Sequence, residues 1–291
     1  MLYAGVELGG TKCVAILARA PGDVVASKII PTTSPEETLE AIGRTLSDWQ
    51  ELHRFNALGI ASFGPIDVDA RSPTYGHMLA TPKPGWTGVE IAGRLRSAAG
   101  VPAIFDTDVN GAALAEMRWG AGQGLDDFAY ITVGTGVGVG LIVGGKPTRG
   151  FGHCELGHIR VARLPGDNWE GSCPFHGDCV EGLASGSALR SRFGDELTSL
   201  GPDHPVWDGV AWTLGQLCHA IVCASAPRRI TIGGGVIDQQ PHLLSLIQSK
   251  LMESLNGYIR LPDDGDYARA PGLGRDAGPL GAIALAMTAT P

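Results

Sequence analysis

A chain of 291 residues, 44% hydrophobic and 18% charged, can bury a substantial core in one large or two medium folding units. A formal net charge of -8 with no basic run excludes nucleic acid as a main partner, and no apolar run is long enough to span a membrane. Six cysteines are too few for a disulfide scaffold, so clustered ones are better read as metal ligands in a reducing compartment. With a strand-like run beginning at Leu2 in place of a signal peptide, the cytoplasm is the expected location.

In chain order, Tyr3 to Leu17 reads as a strand, a tight turn at Gly9-Gly10-Thr11-Lys12 and a returning strand. Pro21-Gly22-Asp23 turns into a further strand, Val24 to Ile30. Ser34-Pro35-Glu36-Glu37 is a helix start, followed by Leu39, Ile42, Leu46 and Trp49 at helical spacing. A strand from Ala57 to Ser62 runs into Phe63-Gly64-Pro65-Ile66-Asp67, and another, Ala103 to Phe105, into Asp106-Thr107-Asp108-Val109-Asn110, with helix from Gly111. The second half opens with Phe128 to Val143, again strand, turn at Gly134-Thr135-Gly136, strand. A Cys/His/Gly loop fills 150–182. Two helices follow, with apolar spacing at Val210, Leu214, Leu217 and Ile221 and at Leu244, Ile247, Leu251 and Leu255. Between them a strand from Arg229 stops in Gly233-Gly234-Gly235. A small-residue helix closes the chain from Pro279. The pattern is α/β, with a lobe at 1–115, a second at 116–278 that carries the 150–182 loop, and the tail helix 279–291 packing back on the first.

The same phrase is thus written twice. Turns of Gly and Thr leave backbone N–H groups and a hydroxyl free for a ligand, and only Gly lets backbone approach a phosphate so closely. Two copies point to two related lobes holding one polyphosphate, the alternative being ordinary Gly-rich hairpins. Neither G-x-x-x-x-G-K-[ST] nor G-x-G-x-x-G occurs. Lys12 follows its turn directly and can reach phosphate oxygens as a point charge. Glu7, just before the turn, is a candidate to hold Mg²⁺ through water. Asp108 stands at a strand end before a helix, where its carboxylate can act as base for an attacking hydroxyl or merely cap the helix; Asp106 and Asn110 are rival caps.

His158 with Cys173-Pro-Phe-His176-Gly-Asp-Cys179 supplies four N/S ligands, the set of a closed tetrahedral Zn²⁺ site and therefore structural. Cys154 is a weaker candidate, and Cys13, Cys218 and Cys223 read as small core residues. Glu155 and Glu181 flank the loop and suit the vicinal hydroxyls of a polyol.

Together these residues resemble the ROK family of sugar kinases, of the actin-like/hexokinase (ribonuclease H-like) ATPase fold, over nearly the whole chain. The resemblance implies two lobes with an interlobe cleft. It makes Gly9, Gly10, Thr11 and Lys12 the first phosphate motif, Gly134, Thr135 and Gly136 the second, and Gly233, Gly234 and Gly235 the adenosine motif. It also implies ATP and Mg²⁺, structural Zn²⁺, Asp108 as the catalytic base, a sugar bound through Glu155, His158 and Glu181, and a homodimer. Glu7 in place of Asp, Thr107 in place of Asn and His176 among the metal ligands are similar to the bacterial fructokinase branch. So are Pro31-Thr-Thr-Ser-Pro-Glu-Glu-Thr, Ser62-Phe-Gly64-Pro65-Ile-Asp and Thr81-Pro-Lys83-Pro-Gly-Trp86. Gly64, Pro65, Thr107 and Asp108 accordingly join the expected sugar set, and Lys83 and Trp86 are candidates for contact with sugar or lid. The implied reaction is transfer of the ATP γ-phosphoryl to the 6-hydroxyl of fructose. A kinase of mannose, glucose or an N-acetylhexosamine, and a non-catalytic sugar-responsive regulator, are the alternatives.

Overall fold

The computed structural model describes residues 1–263 and 265–289. Strand β1 (Tyr3–Leu8) turns back antiparallel into β2 (Lys12–Ala20), with Leu8 opposite Cys13, and β2 into β3 (Asp23–Pro31). Helix α1 (Pro35–His53) starts where the Ser34 side chain accepts the Glu37 N–H at 3.4 Å, and buries Leu39, Ile42 and Leu46. Strand β4 (Leu58–Ser62) lies parallel to β1; helix α2 (Ala92–Ala99) leads to β5 (Ala103–Thr107), parallel to β4. Helix α3 (Asp108–Trp119) follows without a break.

The second sheet repeats this plan. Strand β6 (Phe128–Val133) pairs antiparallel with β7 (Val137–Val143), next to the short β8 (Lys146–Pro147). Helices α4 (Val180–Ala184), α5 (Gly186–Phe193) and α6 (Val206–Ser225) precede β9 (Arg229–Gly233), which is parallel to β6. Helices α7 (Gly235–Gln239) and α8 (Leu243–Leu255) lead to β10 (Ala268–Arg269), parallel to β9. The sheet orders are β3-β2-β1-β4-β5 and β8-β7-β6-β9-β10, the same topology twice. The duplicated phrase is therefore the leading hairpin of a duplicated sheet.

Helix α9 (Ala277–Thr288) packs on α3, β1 and β4. Its small residues have a steric cause. A Cβ on Gly59 would run into the Ala282 carbonyl oxygen, and one on Gly281 would lie 2.5 Å from the Gly111 carbonyl carbon. Residues 290 and 291 of the expected tail helix lie outside the described residues.

The chain forms two compact units: 1–124 with 147–153 and 275–291, and 125–146 with 154–274. The first division falls at 124/125, past the 115/116 boundary read from sequence, because α3 runs unbroken to Trp119. The 147–153 segment, at the head of the Cys/His loop, belongs to the first unit. Cys13 and Cys218 are buried as expected, but Cys223 is exposed. On α6 the buried face runs through Leu214, Leu217, Cys218, Ile221 and Val222, and position 223 lies off it.

Candidate functional site

In the first unit the Gly9–Lys12 turn has all four of its carbonyls bonded back to protein. The Lys12 carbonyl accepts the Gly9 N–H at 3.1 Å, Gly9 O accepts the Thr32 hydroxyl at 2.8 Å, Thr11 O accepts the Thr32 N–H at 3.0 Å, and Gly10 O accepts the Lys83 ammonium at 2.6 Å. The Gly10 and Thr11 amides have no partner among the described hydrogen bonds. A turn with its oxygens satisfied and its N–H groups unspent is an anion nest. Lys83, a candidate for sugar or lid, thus docks on the Gly9–Lys12 turn; its Pro-Lys-Pro setting gave no signal of that target.

Glu7 lies on β1 beneath this turn, its carboxylate against α9, where a Cβ on Gly278 would strike Glu7 Oε1. Burial pushes the Glu7 carboxyl above its ordinary value, and the Lys12 charge partly offsets this.

At the end of β5 the capping question resolves onto one residue. The Thr107 hydroxyl, buried, accepts the Asn110 N–H at 3.2 Å and is the cap of α3. Asp106, 1% exposed, accepts the Thr107 N–H at 2.8 Å and the Asn110 side-chain amide at 2.9 Å, and pairs with Arg149. Asp108 is relieved of the capping role, and its Oδ1 accepts the Val109 N–H at 2.9 Å. Asp106 was legible only as a rival cap; its role as a brace depends on Arg149, distant in sequence. Gly64 and Pro65, joined by a cis peptide, follow β4; Pro65 O accepts the Leu79 N–H at 2.8 Å, and the next amide, of Ile66, donates to His153 Nε2 at 3.1 Å.

The second unit builds its turn by the same rule. Gly136 O accepts the Gly134 N–H at 2.9 Å, Gly134 O the Gly186 N–H at 2.7 Å, and Thr135 O the Ser187 N–H at 3.3 Å. The Thr135 and Gly136 amides have no partner among the described hydrogen bonds. Nothing in the sequence pointed to Gly186 and Ser187, which open α5, as donors to this turn. Gly233 ends β9; Gly234 has φ 96°, and a Cβ there would lie 2.7 Å from the Val133 amide nitrogen. Only glycine fits both demands, and the triple glycine consequently abuts the end of β6, one residue from the second turn.

His158, Cys173, His176 and Cys179 bring one ligand atom each to within 4.8 Å of all the others. His158 Nδ1 lies 3.7 Å from Cys173 Sγ and 3.6 Å from Cys179 Sγ, and His176 Nδ1 lies 3.6 Å from Cys173 Sγ. N and S ligands about 2.0–2.3 Å from one centre at tetrahedral angles stand roughly 3.5 Å apart, so the set fits a tetrahedral metal. Burial, reinforced by Cys173, pushes the Cys179 thiol up to about 11, and a bound cation would hold it as thiolate. Cys154 is not in the cluster.

Glu155 is exposed and begins a 3-10 turn, Leu156–His158, that packs so closely on β7 that a Cβ on Gly157 would strike the Val137 carbonyl. Glu181, on α4, accepts the Val137 N–H at 3.0 Å through Oε2, while its Oε1 lies 4.0 Å from His158 Nε2. The two ring nitrogens of His158 therefore face the sulfurs on one side and a carboxylate on the other.

Two anion nests at the heads of duplicated sheets, a strand-end aspartate before a helix and a Cys/His cluster define a nucleotide-dependent phosphotransferase of the actin-like ATPase fold. The sequence profile of the ROK family matches residues 3–289, and the chain belongs to that family. It is 40% identical over 289 residues to a fructokinase of Pediococcus pentosaceus, covering 99% of both chains. To a fructokinase of Zymomonas mobilis it is 40% identical over 295 residues, covering 99% of this chain and 97% of that one. Its structure is similar to a ROK hexokinase of Thermus thermophilus, with TM-score 0.79 and 28% identity over 99% of this chain and 98% of that one. It is also similar to a ROK glucokinase of Streptomyces griseus in complex with glucose and AMPPNP, with TM-score 0.77 and 28% identity over 99% and 100%.

Proposed function

We propose that the protein is an ATP-dependent fructokinase that phosphorylates the 6-hydroxyl of D-fructose. The observation that carries this is similarity at 36–40% identity, over 91–99% of each chain, to fructokinases of four bacteria, together with the site residues described above. The two nests receive the polyphosphate, and Gly233 to Gly235 receive the adenosine. Gly64, Pro65, Thr107, Asp108, Glu155, His158 and Glu181 form the sugar set, with Thr107 also serving as the helix cap.

Asp108 takes the proton of the 6-hydroxyl as that oxygen attacks the γ-phosphorus; the bond to the β–γ bridging oxygen breaks and ADP leaves. The unspent amides and Lys12 offset the charge that develops on the transferring group. Glu7 would hold Mg²⁺ through water, and that ion would neutralise phosphate charge. The His/Cys cluster suits Zn²⁺, which has no position left for substrate and so stiffens the segment that carries Glu155 and Glu181. The assignment is completed by a cytoplasmic homodimer.

The test is ADP release by the purified protein with ATP and Mg²⁺ across fructose, mannose, glucose and N-acetylhexosamines. Turnover is expected to be greatest on fructose. A higher kcat/KM on another hexose would overturn the acceptor, and no turnover on any sugar by folded, metal-loaded protein would overturn the kinase reading.

A further inference from the structure

Lys83 is the one side-chain cation hydrogen-bonded to a phosphate turn among the described residues, and nothing in the reaction outlined above uses it. Its place is built. Trp86, fully buried, donates its indole N–H to Thr33 O at 3.2 Å and packs edge-on against Phe63 at 5.4 Å between ring centroids. The Trp86 backbone N–H in turn holds the Lys83 carbonyl at 3.2 Å, and the Thr87 hydroxyl closes the loop on Thr81. Prolines at 82 and 84 fix φ on either side of the lysine. The same stretch after β3 that anchors Trp86 through Thr33 also holds the turn through Thr32. Loop and turn are thus registered on one support.

An ammonium has three donors. One goes to Gly10 O, and the other two have no partner among the described residues. The Gly10 and Thr11 amides of the same turn are also unspent among the described hydrogen bonds. We propose that Lys83 is a phosphate-binding cation of this site: it holds the Gly10 carbonyl on its own side of the peptide, which leaves the Thr11 N–H on the other, and it gives its remaining donors to a nucleotide phosphate. The proposal rests on the kinase reading for its ligand. It adds to Lys12 a second positive charge, delivered from a loop 73 residues away in the chain. Because the charge is meant for phosphate, the residue should matter in proportion to the number of phosphates on the ligand.

Three variants separate the two duties. Lys83→Met removes charge and donors, Lys83→Gln keeps a donor for Gly10 O without charge, and Lys83→Arg keeps both. Binding of ATP·Mg²⁺, ADP·Mg²⁺ and AMP is measured by titration calorimetry, beside steady-state kinetics and thermal melts. Lys83→Gln and Lys83→Met are expected to weaken ATP·Mg²⁺ tenfold or more, ADP·Mg²⁺ less and AMP not at all. The KM for fructose should stay within twofold of wild type, and Lys83→Arg should retain ATP affinity within threefold. Wild-type ATP affinity in Lys83→Gln would overturn the proposal and leave Lys83 a clamp on the turn. Equal weakening of AMP would overturn it as well, showing a general disturbance of the site. Should Lys83→Met fail to fold, the contrast between Gln and Arg carries the same decision. Failure of the fructokinase reading is seen separately, as absence of sugar turnover in wild type, and leaves the nucleotide titrations interpretable.

Discussion

Glu181 touches the Val137 amide with one carboxylate oxygen, at 3.0 Å, and faces His158 Nε2 with the other, at 4.0 Å. Residues 44 positions apart are thereby joined, and the second glycine turn shares a carboxylate with the Cys/His cluster. Glu181→Ala should leave the Val137 amide without its acceptor, a loss of about 1–3 kcal/mol. Glu181→Gln keeps the acceptor and loses the charge. The alanine variant is therefore expected to melt several degrees lower, while the glutamine variant melts close to wild type but shows at least a tenfold higher KM for the sugar. Equal melting of both variants would sink the assignment of the amide contact to stability.

Asp108 is not the helix cap, because the Thr107 hydroxyl already accepts the Asn110 N–H. Asp108→Asn retains an acceptor for the Val109 amide but cannot take a proton. Folding and sugar binding should be preserved, and kcat should fall by about 10²–10⁴-fold, the range of general-base contributions. Thermal melts, sugar titration and initial rates check this together; a kcat near wild type would remove Asp108 from the chemistry.

Metal removal should act through structure. His158, Cys173, His176 and Cys179 bring four ligands together from a segment poor in regular structure, so the metal is expected to order it. Chelation, or Cys179→Ser, should lower the melting temperature by roughly 10 °C or more. Activity should return when Zn²⁺ is restored to the chelated protein. One equivalent of zinc by elemental analysis and the paired melts are the measurements; metal-free protein with unchanged melting would count against a structural ion.

Glu7 gives a pH signature. Its carboxyl is raised above its unfolded value by burial, so the native state holds that proton to higher pH than the unfolded chain does. The group therefore stabilises the fold fully below about pH 4.5, and this is lost as pH rises through the native value. Glu7→Gln, which cannot ionise, should melt higher than wild type near pH 7.5 in the absence of Mg²⁺. The gap should close as pH falls toward 4.5. Calorimetric scans across that range test the sign, and a gap that widened on acidification would contradict it.

Features with local causes were legible along the chain. The strand–turn–strand phrase needs only apolar alternation and glycine, the start of α1 needs only Ser34 and Glu37, and the Cys-x-x-His-x-x-Cys spacing brings three of the four metal ligands close along the chain. It also carried the duplication, since both hairpins are spelled out in order. Helices α2, α4 and α5 were not legible: they span only 8, 5 and 8 residues, too short for a periodic pattern to stand out.

Which groups meet across long separations became visible only in the folded chain. Lys83 finds Gly10, Arg149 finds Asp106, Glu181 finds Val137, and Gly186 and Ser187 close the second turn. The physical reason is the same in each case. A polar group in a packed site must be satisfied by whatever donor or acceptor the packing brings there, and the partner's address is set by sheet order and close backbone approach, as at Gly59 with Ala282, not by spacing along the chain.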